Sequence, residues 1–213
     1  MANHGYISRD GKNLSAWDIA SGLVECYGLT TPFAIFLSYT TFLLLRLFRR
    51  IDLFEIGRHG VVEHDASLVH HDTPEGQEFA PIEIDRDLLE VFERDAQTEV
   101  EIEVEVAGIK TLQKQILLST FDVARARVRR EKECRPVGHI AAEIARGEMA
   151  IILAVWEQKV GDKAGAPIEW IKTWLGEERL PEGWRADRQV GLFDTRNRAK
   201  AIMNFSADIR KAE

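Results

Sequence analysis

Apolar and polar positions alternate mostly with a helical period. Residues 1–14 carry Gly5, Asp10, Gly11 and Asn13, which read as turns. Ser15 with Asp18 in the first turn predicts a helix N-cap, and Gly28 closes that helix after about Tyr27. A strongly apolar helix follows from Pro32, ending in Arg46, Arg49 and Arg50, cations suited to a helix C-terminus. Asp85 can cap a helix over residues 86–94. Thr98 to Val106 alternates strictly, glutamates against Val and Ile, and predicts a strand with one wet face. Its self-repelling glutamates suit an edge or an inserted hairpin arm. Further helices are expected over 119–133, with Arg125, Arg129 and Arg130 outward, over 139–159, over Ile168 to Leu175 after Pro167, and over about 196–210. About seven helical segments against one or two strands give a mainly α fold. No repeat or linker divides residues 1–213, so one domain is expected.

The uncharged run from Cys26 to Leu45 raises the question of a membrane. Gly28 and Pro32 interrupt it, leaving about fourteen residues before Arg46, too few to span comfortably. A buried core helix is expected. Apolar residues are 45% and charged residues 30%, ordinary for a globular protein, and the net charge of −7 argues against nucleic acid as a partner. The basic run Arg125 to Lys132 reads as a solvated helix face. Two cysteines, Cys26 and Cys134, make no disulfide framework. No secretory leader is visible at the start, so a cytoplasmic location is expected.

Two stretches carry candidate chemistry. On the helix over 139–159, the neighbours of Glu148 three and four positions away are Ile144, Ala145, Ile151 and Ile152, all apolar. A carboxyl on that face is expected to be buried and its pKa raised, the usual preparation of a general acid–base. Gly147 leaves open space beside it. Glu143, by contrast, looks solvated. The other stretch is Glu63-His64-Asp65-Ala66-Ser67. A carboxylate beside an imidazole orients it and sets its tautomer. Glu63 and Ser67 could share a hard cation such as magnesium. His59, His70 and His71 lack zinc spacing, and no cysteine is near. A His64–Glu148 pair inside an apolar cavity is the central expectation.

Asn3-His4-Gly5-Tyr6 with Arg9-Asp10-Gly11, the Glu63–Ser67 block, Ala124-Arg125-Ala126-Arg127-Val128, Gly147-Glu148, Trp170, and Glu177-Glu178-Arg179-Leu180-Pro181-Glu182-Gly183-Trp184 together resemble the fungal haem-thiolate haloperoxidases and peroxygenases. The resemblance spans nearly the whole chain. It implies a helical domain of the chloroperoxidase type around haem b, with hydrogen peroxide and a small metabolite as partners in secondary metabolism. It implies Glu148 as catalytic acid–base, hydrogen-bonded by His64, with Asp65 steadying His64. It implies magnesium held by Glu63, the main chain of His64 and Ser67. Peroxygenases carry an arginine seven residues before the acid; Ala141 stands there, which points to the chloroperoxidase branch. The family's axial thiolate comes from a Pro-Cys-Pro motif ahead of Asn-His-Gly, and neither Cys26 nor Cys134 matches it. Three expectations follow. The protein is a haem peroxidase whose N-terminus is longer than Met1 indicates, a haem-less relative using the His64–Glu148 pair for isomerisation, cyclisation, dehydration or decarboxylation, or a protein that only binds a small molecule.

Overall fold

The computed structural model describes residues 1–106 and 108–213. Helix α1, Ala16–Tyr27, starts in a full capping box between Ser15 and Asp18 and ends on Gly28 in the left-handed region. Helix α2, Thr31–Leu44, carries Pro32 in its first turn. Helix α3, Arg86–Asp95, is capped by the Asp85 carboxylate on the Leu88 N–H. Strands β1, Thr98–Val106, and β2, Ile109–Leu118, form an antiparallel hairpin. Helix α4, Thr120–Lys132, opens in a second capping box, Ser119 with Asp122. Helix α5, His139–Trp156, leads into the short strands β3, Gln158–Val160, and β4, Lys163–Pro167. Helices α6, Ile168–Gly176, and α7, Leu192–Ala212, complete a mainly α chain.

The four strands form one sheet in the order β1-β2-β4-β3. It is larger than the one or two strands expected. The missed pair is three and five residues long and built from Gln, Lys, Val, Ala, Gly and Pro, too short and too poor in strand formers to show a period. Gly165 lets β4 approach β2: a Cβ there would stand 2.6 Å from the Leu118 carbonyl oxygen. The glutamates of β1 do not simply repel one another. Lys114 lies 2.7 Å from Glu99 and Lys110 lies 2.7 Å from Glu103.

The core is built where α5 meets the other helices, with Phe92, Leu153, Trp156, Ile171 and Ile202 almost fully buried. Trp156 is a hub of aromatic rings. Its centroid lies 4.3 Å from Trp184, 5.5 Å from Trp174, 6.2 Å from Tyr27 and 6.3 Å from Trp170.

Three expectations need correction. Helix α2 buries Phe33, Ala34, Ser38 and Phe42, but leaves Phe36, Tyr39, Leu43 and Leu44 exposed. It is a half-buried helix, and no helix among the described residues is long and apolar enough to cross a membrane. Its C-terminus has no cation in the last turn; Arg49 and Arg50 lie beyond it and pair with Glu55 and Asp18. The basic run of α4 is not a solvated face. Arg127 and Arg130 are buried, at 2% and 5% exposure.

Truncating a wholly buried aromatic leaves a cavity as well as losing transfer energy. Phe92, 1% exposed, is such a residue. Phe92→Ala is expected to cost about 3–5 kcal/mol in urea unfolding. A loss below about 1 kcal/mol would show that this part of the core is loosely packed.

Candidate active site

The segment from Arg58 to Ile84 has no α-helix or long strand, and it carries most of the candidate polar residues. It is shaped by turns. Gly60 at φ +76° lets its N–H reach the Glu63 carbonyl at 3.1 Å. Ala66 is held at φ +65°, strained for a residue with a Cβ, although it is wholly buried. Polar partners hold this conformation. The Ala66 N–H donates to Asp72 Oδ1 at 3.0 Å. Arg127 Nη1 donates to the Ala66 carbonyl at 3.4 Å, and Arg130 Nε to the Ser67 carbonyl at 2.9 Å. Arg130 Nη2 also reaches Asp72 at 2.8 Å, and Arg135 donates to the Thr73 carbonyl at 2.8 Å.

That scaffold sets His64 inward. Its side chain is 7% exposed, and its Nε2 lies 3.4 Å from Glu148 Oε2. Nδ1 lies 2.8 Å from the Asp65 carbonyl oxygen. A carbonyl only accepts, so Nδ1 carries the hydrogen. Nε2 therefore faces the carboxyl. Burial lowers the His64 pKa, but the hydrogen bond to Glu148, its charge and the Asp65 carbonyl outweigh burial and hold the ring above its ordinary value.

His64 and Glu148 border a cavity of about 370 Å³ whose lining is otherwise mostly apolar, including Leu68, Phe92, Met149 and Trp156. Arg127 lines it too. A second cavity, about 410 Å³, shares His64, Ser67, His70 and Glu148 with the first and adds Glu63. Gly147 behaves as expected: a Cβ there would meet nothing within 4 Å.

Two expected roles are not met by the geometry. The Glu148 side chain is 53% exposed, so it is a carboxyl at the mouth and not a dry one. Its apolar neighbours Ala145, Ile151 and Ile152 turn into the cavity wall, which spacing alone cannot separate from solid core. The Asp65 carboxylate does not touch His64; it pairs with Arg135 at 2.9 Å, and the main-chain carbonyl holds the imidazole instead.

The proposed metal trio is only partly assembled. Glu63 and Ser67 both line the second cavity. Glu63 Oε2 lies 2.7 Å from His59 Nδ1 and accepts from the Thr73 hydroxyl at 3.4 Å. The Ser67 hydroxyl lies 3.3 Å from His70 Nδ1. Among the described residues, no three His, Cys, Asp or Glu side chains converge as a metal cluster. Neither cysteine lines the apolar cavity. Cys26 is buried, which raises its thiol pKa; burial and the Asp72 hydrogen bond push that of Cys134 up to about 11.

Sequence reasoning passed over Arg127. The neighbour test that picked out Glu148 does not flag it: Val123 and Ala124 precede it at four and three positions, but Arg130 and Glu131 follow it, and its burial comes from tertiary partners.

The two cavity histidines are held in opposite directions. Burial lowers His70 below its ordinary value, outweighing the Ile82 carbonyl and the charges of Glu63 and Glu148. His64 therefore adds stability that is full below about pH 6.5 and fades as pH rises through its folded value. His70 adds stability that is full above about pH 6.5 and is lost as pH falls towards its folded value. Proton NMR titration is expected to place His64 above His70. Urea midpoints are expected to show His64→Gln costing more near pH 5.5 than near pH 8. The reverse order of titration would refute the assignment.

Comparison with curated proteins finds no match. The model of the family described as "Peroxidase, family 2" matches residues 1–189, a stretch that contains every candidate residue above. By that match over most of its length, the chain belongs to the family 2 peroxidases.

Proposed function

We propose that this chain is a peroxide-dependent oxidoreductase acting on a small metabolite, with Glu148 as the proton acceptor and donor and His64 as its partner. Family membership supports a peroxidase-like reaction. One contact supports the residue assignment: His64 Nε2 stands 3.4 Å from Glu148 Oε2 beside an apolar cavity. Hydrogen peroxide at the mouth would give a proton to the Glu148 carboxylate. Returned to the outer oxygen, which already carries one hydrogen, that proton lets it leave as water while the O–O bond breaks. The Asp65 carbonyl fixes the His64 tautomer through this transfer. The exposure of Glu148 lets protons exchange with bulk water between turnovers.

Haem b is the cofactor of this reading, and the cavity partly fits it. Leu68, Phe92, Met149 and Trp156 suit the faces of a macrocycle, and the His64–Glu148 pair suits its distal side. When bound, haem supplies the electrons for O–O cleavage. A thiolate from Cys26 or Cys134 does not fit, because neither lines the cavity. Magnesium would take the oxygens of Glu63, the His64 main chain and Ser67, hard donors at the edge of the second cavity. By the sequence resemblance, the setting would be fungal secondary metabolism.

The placement of the cysteines favours a second reading. Without haem, the same pair would serve non-oxidative acid–base chemistry: isomerisation, cyclisation, dehydration or decarboxylation of a small metabolite.

Hemin titration separates the two. The first reading expects a Soret band on the purified or hemin-loaded protein; colourless protein that takes up no hemin overturns it and leaves the second. Glu148→Gln is expected to slow turnover by about 10²–10⁴-fold. Because Glu148 is half-exposed, stability should stay within about 0.5 kcal/mol. Full turnover in that variant would remove the acid–base role under either reading.

A further inference from the structure

We propose that Arg127 is a carboxylate anchor inside the apolar cavity, so that the cavity takes an amphipathic carboxylate with its apolar body against Leu68, Phe92 and Met149. The inference rests on the reading that this cavity is where the chemistry happens. It goes further in naming the polar end of what binds there.

Arg127 is the charged residue of the lining whose side chain is nearly closed to solvent, at 3% exposure. A guanidinium has five N–H groups. Nε and one hydrogen of Nη2 go to Glu131 Oε1, at 3.2 and 2.7 Å. One hydrogen of Nη1 goes to the Ala66 carbonyl at 3.4 Å. Among the described residues, one hydrogen on each terminal nitrogen is left over. Those two N–H groups are available to the oxygens of a carboxylate.

The charge balance points the same way. Glu131 is shared, since its other oxygen accepts from Arg210. Arg127, Glu131 and Arg210 therefore carry one net positive charge. The carboxylate of the lining, Glu148, is half-exposed at the mouth and already faces His64. Arg127 shares its one acid with Arg210, so its charge is only partly compensated in an apolar surround, where an incoming anion relieves it.

The carboxylate could belong to a free small molecule or to a propionate of haem. Both are tested on the full chain by binding. The probes are decanoate against decanol, by calorimetry, and hemin against hemin dimethyl ester, by absorbance. The charged member of at least one pair is expected to bind roughly tenfold or more tighter. The pair that discriminates identifies the source. Arg127→Met should abolish that preference while the neutral member still binds, and Arg127→Lys should restore part of it. No preference in either pair, or a preference that survives in Arg127→Met, overturns the proposal.

A measurement on the unaltered protein guards against a variant that does not fold. Carboxyl-¹³C decanoate bound beside a guanidinium should ionise at lower pH than in water. In an apolar cavity without such a partner it should ionise at higher pH, which would also overturn the proposal. These readouts use no peroxide, so activity can fail while the anchor stands, and the anchor can fail while Glu148 still turns over peroxide.

Discussion

Three arginines fasten a segment with little regular structure, and the site exists because they do. Arg127 and Arg130 on α4, and Arg135 just beyond it, donate to the carbonyls of Ala66, Ser67 and Thr73. Those carbonyls belong to a stretch with no ladder or helix to satisfy its main chain, and buried main-chain oxygens need partners. The arginines in turn need acids: Arg127 has Glu131, Arg130 has Asp72 and Arg135 has Asp65. Breaking one member of such a set leaves its partners buried and uncompensated. The strain at Ala66 persists because this network over-determines it. His64 inherits its direction from that rigidity.

The pairing of His64 with Glu148 joins this fastened segment to a regular helix. One partner is almost dry and the other half-wet. This asymmetry divides the labour. The buried imidazole has its tautomer set by a carbonyl, while in the proposed reaction the exposed carboxyl would be the member open to solvent. A fully buried carboxyl would be better insulated but slower to recharge. The cavity beside them is apolar enough to exclude water from a bound molecule, and its mouth is where the polar groups collect.

Much of the scaffold was legible in local chemistry. Ser15 with Asp18, and Asp85, announced two helices, because a cap is decided within four residues. The alternation from Thr98 announced β1, although its partner β2, which carries lysines among mixed residues, did not stand out. What was illegible depended on tertiary placement. The arginines of α4 read as a wet face because charge usually is; their burial follows from carbonyls some sixty residues earlier in the chain. Apolar neighbours put Glu148 on a buried face, but the side chain stands half-exposed at the rim of a hollow, which spacing cannot tell from a packed interior. The Glu63–Ser67 block was found by composition, yet Asp65 turned out to act through its main chain, an atom every residue has.

The ring cluster around Trp156 has a practical corollary. Trp156 and Trp174 form part of the wall of the apolar cavity, and Trp170 and Trp184 stand within 6.3 Å of Trp156 between ring centres. Four of the five indoles therefore stand at or beside that hollow, with Trp17 on α1 as the outlying one. Any chromophore that settled there would accept excitation from the neighbouring rings and dim the emission, whereas a colourless guest would shift its wavelength by changing local polarity. The molecule thus contains its own optical gauge of occupancy, which needs no label and works whatever reaction follows.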